Sequence, residues 1–82
     1  MLHPVHTQAY TVTTPDHTVN GNLAIYYSDI YFDYTVEYFN SNGDELVSDN
    51  FFATSKETSI EEAKKVIHLS LCTALRTLTR WV

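Results

Sequence analysis

The residues with the clearest chemical potential are carboxylates. Asp29, Asp33 and Glu37 recur at every fourth position around the stretch IYFDYTVEYF, Ile30 to Phe39. Along a continuous strand an even spacing projects side chains from one face, with successive members about 13 Å apart by strand rise. That exceeds the roughly 5 to 9.5 Å that acid–base carboxylate pairs keep in glycosidases. A row of this kind fits a different chemistry: imitation of spaced phosphates, or contact with a basic groove on a partner. Asp44, Glu45 and Asp49 would carry the acidic surface onto a neighbouring strand. An ordinary solvated strand face is the competing explanation.

Histidine and cysteine offer less. His3 and His6 form a His-x-x-His pair, with His17 and His68 scattered elsewhere. A transition-metal site needs three or four converging ligands, and neither Cys nor carboxylate flanks the pair at a useful spacing. No metal or cofactor is expected. Cys72 follows His68 by one helical turn, the spacing of a thiol and its base. Cys72 falls opposite the apolar stripe of its helix in a short chain, so no catalytic residue is assigned and the chain is read as a non-enzyme.

Ten acidic residues against five basic ones give a formal charge of −5, which disfavours direct contact with nucleic acid or an anionic membrane. The signs are segregated: every acidic residue lies between Asp16 and Glu62, every basic one between Lys56 and Arg80. Cys72 is the single cysteine, so an intrachain disulfide is excluded and a reducing compartment is expected. No basic segment precedes a long apolar run, and no run is long enough to span a bilayer, so the expectation is a cytoplasmic protein.

The elements that must hold these residues follow from periodicity. At 82 residues a single small domain is expected, with residues 1–6 loosely ordered. Asn20-Gly21 and Asn42-Gly43 each divide β-branched and aromatic segments, the pattern of tight hairpin turns. The first would join a strand over Gln8 to Val19, bent near Pro15-Asp16, to one over Leu23 to Tyr27. A third strand over Tyr31 to Phe39 would face Phe32, Tyr34, Val36 and Tyr38 into a core. A fourth would run from Glu45 to Ala53. Leu46-Val47 and then Phe51-Phe52 are apolar on both faces, and burial on both sides near Phe51 is one explanation.

Beyond Thr54-Ser55 the period becomes helical. Ser59-Ile60-Glu61-Glu62 matches a capping box, so the helix should span 59–80. Ile60, Ala63, Ile67, Leu71, Ala74, Leu75, Leu78 and Val82 share one stripe, while Arg76 and Arg80 suit its negative dipole end. The fold class expected is α+β: a four-stranded antiparallel β-meander over 8–53 with one C-terminal amphipathic helix packed on one face.

One helix covers one sheet face, leaving the other wet or covered by a second chain. The partner-binding residues assigned are Asp29, Tyr31, Asp33, Glu37, Phe39 and Asp49, with a basic or nucleic-acid-binding protein as the partner. Val66, Leu69 and Cys72 place apolar side chains where the helix should be polar. They are assigned to self-association as a homodimer, the alternative being cover from a segment such as Leu2 to Val5. Thr58-Ser59-Ile60-Glu61-Glu62-Ala63 resembles the strand-to-helix junction of HicB-like antitoxins over under a quarter of the chain. Their proline and glycine-rich strand motif is absent, so no function is carried over. In overall character the chain is similar to small phage-encoded inhibitors of bacterial defence systems. The function expected is an acidic, non-enzymatic inhibitor that occupies a basic protein surface; the alternative is a self-associating assembly protein.

Overall fold

The structure is a computed structural model that describes residues 3–15 and 17–80, with side chains described as far as Thr73. Four strands, β1 (His6–Thr13), β2 (Thr18–Ser28), β3 (Asp33–Asn40) and β4 (Glu45–Phe51), precede one helix, α1 (Lys56–Arg80). The strands form a single antiparallel sheet in the order β1-β2-β3-β4. The fold is therefore α+β, a meander with one helix packed against it.

The core lies between one sheet face and one helix stripe. Val12, Leu23, Ile25, Val36, Tyr38 and Val47 bury against Ala63, Ile67 and Leu71. Strand alternation and helix periodicity select these residues, as the sequence suggests. Of the expected stripe, Ile60 is half-buried against this cluster; Ala74, Leu75, Leu78 and Val82, with Arg76, Arg80 and Leu2, lie outside the described side chains.

The first turn is not where Asn20-Gly21 indicates. The hairpin closes between Thr13 and Thr18, where the Thr14 backbone N–H donates to the His17 carbonyl at 2.8 Å. The Thr14 Oγ1 accepts from the His17 N–H at 3.0 Å, so a threonine side chain ties the loop. Gly21 instead lies inside β2, opposite Tyr10 on one side and Asn40 on the other. Its role is clearance. A Cβ at Gly21 would collide with the Phe39 carbonyl oxygen and come within 2.9 Å of Tyr38 Cζ. The Tyr38 ring passes over the glycine so that its hydroxyl can donate to the carbonyls of Tyr10 and, at 3.2 Å, Val19.

The second Asn-Gly does form a turn. Gly43 has φ +85°, and the Asn40 side-chain oxygen accepts from the N–H groups of Asn42 and Asp44, each at 2.9 Å. The helix begins earlier than the Ser59 capping box implies. Ser55 is the cap: its Oγ accepts from the Thr58 N–H at 3.1 Å, and its carbonyl accepts from the Ser59 N–H at 2.9 Å. Ser59, fully buried, donates to the Lys56 carbonyl at 2.6 Å.

The Gly21 clearance and the Tyr38 hydroxyl can be tested separately. Gly21→Ala should destabilise the fold by about 3 kcal/mol, because the new methyl meets backbone of an adjacent strand. In thermal unfolding this lowers Tm by more than about 10 °C for a chain of this length. Burial, and then the neighbouring Tyr10, push the Tyr38 phenol above its usual 10.0. A raised phenol pKa stabilises the fold fully below pH 10, and the stabilisation is lost as pH rises through the folded value. Tyr38→Phe should cost about 1 to 2 kcal/mol at neutral pH, and flatten the fall in stability above pH 10.

Candidate functional site

The β2–β3 connection carries the most unusual surface. Ser28 pairs with Asp33, so Asp29, Ile30, Tyr31 and Phe32 make the loop between them. Ile30, Tyr31 and Phe32 are 76%, 74% and 72% exposed. Three consecutive large apolar side chains facing water have a hydration cost that an isolated exposed leucine does not. The loop is held by local chemistry: the Ser28 Oγ accepts from the Tyr31 N–H at 3.2 Å. Phe32 has φ +56°, a region that bulky residues rarely enter. The left-handed turn takes Phe32 off the strand, so its side chain is exposed rather than inward beside Tyr34 as expected. The strand starts at Asp33 rather than Tyr31.

The rest of that end of the sheet is aromatic. Tyr27, Tyr34 and Phe51 pair across β2, β3 and β4, with ring centroids 5.0 Å and 5.7 Å apart. Contacts at these separations make a stiff row beneath the loop. Phe52, which follows Phe51, is 76% exposed, so the expected burial on both sides is not found there. Alternation places Phe32 in the core and burial on both sides is the expectation near Phe52, so neither is visible as a surface residue in the sequence.

The assigned partner-binding residues divide into three places. Asp29, Tyr31 and Asp33 lie in or beside the loop. Glu37 and Phe39 lie further along β3, with Asp33, on the face opposite the helix. Because Asp29 precedes the strand, the expected row of three carboxylates is broken at its first member. Asp49 pairs with the buried Val36, and strand alternation puts it on the helix side with Val47 and Phe51. It does not extend the face that carries Glu37. Glu45 does, since an irregular register sets it opposite Phe39.

That open face is polar for most of its area. Thr11 donates to Asn20 at 3.0 Å and Thr35 to Asn50 at 3.1 Å, bridging β1 to β2 and β3 to β4. Tyr26 stands among them with its phenol pushed upward, first by burial and then by the charge and hydrogen bonding of Glu37 and the charge of Glu45.

The helix residues assigned to self-association also separate. Val66 is half-buried and packs against the core, which accounts for its apolar side chain within one chain. Leu69 is 67% exposed, and Cys72 is partly exposed with its Sγ 3.6 Å from His68 Nε2. Tyr10, Glu61, Lys64, Lys65, His68 and Leu69 line an open groove of about 460 Å³ between β1 and α1. His6 turns to Gln8, its Nε2 lying 2.8 Å from the amide oxygen. Among the described residues, no three His, Cys, Asp or Glu side chains cluster to hold a metal, and no helix is long and apolar enough to cross a membrane. Comparison with protein families, curated proteins and solved structures finds no match for this chain.

The Phe32 backbone gives a direct check on whether the loop serves stability. Phe32→Gly removes an exposed side chain and supplies the residue best suited to φ +56°. Stability should stay level or rise, by no more than about 1 kcal/mol, as read from thermal unfolding. A fall well beyond that would mean that the Phe32 ring stabilises the folded chain itself.

Proposed function

We propose that the protein is a non-enzymatic binding domain that acts by occupying a surface of a protein partner, anchored through the β2–β3 loop. The observation that carries this reading is the run Ile30-Tyr31-Phe32, more than 70% exposed at each residue and set between Asp29 and Asp33. Binding energy in protein interfaces concentrates in a few aromatic anchors, and a pre-formed loop loses little entropy when it docks. The flanking carboxylates define the rim. The complementary site is an apolar pocket bordered by Lys and Arg, approached faster because the chain carries a net charge of −5.

Glu37 and Phe39, on the open face behind Asp33, widen the contact toward the middle of the sheet. A protein that binds nucleic acid presents a basic surface of this kind, and a carboxylate-rimmed loop seated there takes the place of phosphates. Inhibition by competition is the mechanism that follows. Self-association is a second reading, favoured by a separate observation at the β1 edge.

Affinity capture with the intact chain tests the anchor and the rim independently. The wild-type chain should retain one stoichiometric basic partner, released progressively as salt rises. The Tyr31→Ser/Phe32→Gly pair should weaken retention by at least tenfold without changing its salt dependence. Asp29→Lys/Asp33→Lys should weaken it and remove the salt dependence. Equal retention by the wild type and both variants would refute the loop as the binding element.

A further inference from the structure

We infer that β1 is a pairing edge for a second copy of this chain, joining two four-stranded sheets into one of eight strands. The inference is independent of the β2–β3 loop and rests on the contrast between the two sheet edges. Among the described residues β1 has β2 on one side and no strand on the other, and β4 is the opposite edge. An unpaired strand edge exposes alternate backbone N–H and C=O groups, and proteins ordinarily block such edges with charge, proline or a bulge.

The β4 edge has these protections. Its seven residues include Glu45 and Asp49, and its pairing with β3 slips between Tyr38 and Phe39. The β1 edge has none of them. HTQAYTVT carries no Asp, Glu, Lys, Arg or Pro, and it pairs with β2 in unbroken register over all eight residues. At eight residues in unbroken register the strand is long enough to template another.

Charge identifies the occupant as a second copy. Two chains of charge −5 repel over most of their surfaces, and two β4 edges would bring like carboxylates together. The first 15 residues contain no acidic side chain, so β1 is where two copies can approach at least cost. Thr7, Ala9, Thr11 and Thr13 alternate on its outer side, exposed and uncharged, so the strand is compatible with itself under two-fold symmetry. On the inner side, among the described residues, the helix packs chiefly on β4, less on β3 and β2 and least on β1, where Val12 is buried in the core and Tyr10 is half-buried. The groove there holds Lys64 5.8 Å from the Tyr10 ring, with Leu69 beside it and both Glu61 and Lys65 on its wall.

Sedimentation equilibrium of the intact chain decides the matter. The expected mass is twice the 9.4 kDa of one chain. Ala9→Lys/Thr11→Lys places like charges along the edge on an exposed face, and should weaken the dimer at least tenfold while leaving circular dichroism and Tm unchanged. A second readout avoids reliance on that variant. In a Cys72→Ser background, Thr7→Cys, Ala9→Cys and Thr11→Cys, alone or mixed two at a time, should yield an interchain disulfide on mild oxidation. Cross-strand Cβ atoms about 5 Å apart are within near reach of such a bond, and Leu46→Cys on β4 is the negative control. A wild-type chain that stays at single mass at about 100 µM overturns the inference and leaves the edge to an extended strand of another protein. So does a dimer unaffected by the lysines and cross-linked only through Leu46→Cys.

Discussion

The fold depends on Tyr38 lying over Gly21. Among the described residues Tyr38 is the largest fully buried side chain, and its hydroxyl must find acceptors inside an apolar core. It finds two carbonyls, of Tyr10 on β1 and of Val19 on β2, so one side chain on β3 fastens both strands beyond it. The ring can reach them only because the intervening residue has no Cβ. Tyr10 meets the Tyr38 ring edge-on with centroids 6.3 Å apart, and Lys64 of the helix stands over Tyr10. A slip of β1 by one residue would put the Tyr10 side chain on the outer face and break every part of this arrangement at once. The register of the first hairpin, and hence the identity of the exposed edge, is tied to this contact.

The helix adds a second constraint through its off-centre position. Ser55 starts α1 immediately after β4, so its first turns lie over β4 and β3 and bury Ser59, Ala63 and Ile67. β1 contributes one fully buried side chain, Val12, beside a half-buried Tyr10, and among the described residues it is the strand that the helix covers least. The outer sheet face is handled differently: threonine hydroxyls and asparagine amides bridge strands there, so water satisfies it without a second layer. A partner is consequently expected chiefly at an edge or a tip, reaching that face only where Glu37 and Phe39 adjoin the loop.

The architecture was legible because periodicity records burial, and burial determines this fold. The strand count, the meander and the helix stripe all follow from it. The errors have particular physical causes. Asn20-Gly21 reads as a turn because Asn-Gly tolerates positive φ, whereas Gly21 is required for the space above it, a property of Tyr38 seventeen residues away. Ser59 reads as a cap because the box pattern fits, but Ser55 captures the helix start first and Ser59 bonds back to a carbonyl within the helix. Phe32 continues the alternation of Tyr34, Val36 and Tyr38, yet one backbone angle removes it from the strand. At the candidate site the sequence marked Asp29, Tyr31 and Asp33, and it misplaced Asp49. Parity decides that residue: with Val47 fixed inward by the core, Asp49 must share its side.

Joining the edge to the loop constrains how a dimer would act. His6 pairs with Ile25, so the β2–β3 loop lies at the start of β1, while Thr13 marks the far end. Two-fold antiparallel pairing of β1 sets the start of one strand against the end of the other, and the two loops then point from opposite ends of the eight-stranded sheet. A strand of eight residues is about 26 Å long, so the loops stand apart by at least that order. In the proposed dimer they could not enter one pocket together. Each would anchor alone, and two such anchors on one sheet would gain avidity only from sites fixed at a matching separation, as on a symmetric partner. A partner with a single pocket gains nothing from the dimer, whereas a two-fold partner or an array is bridged by it. The geometry therefore links oligomeric state to the kind of target: monomers suit simple occlusion, and dimers suit the cross-linking of repeated basic sites.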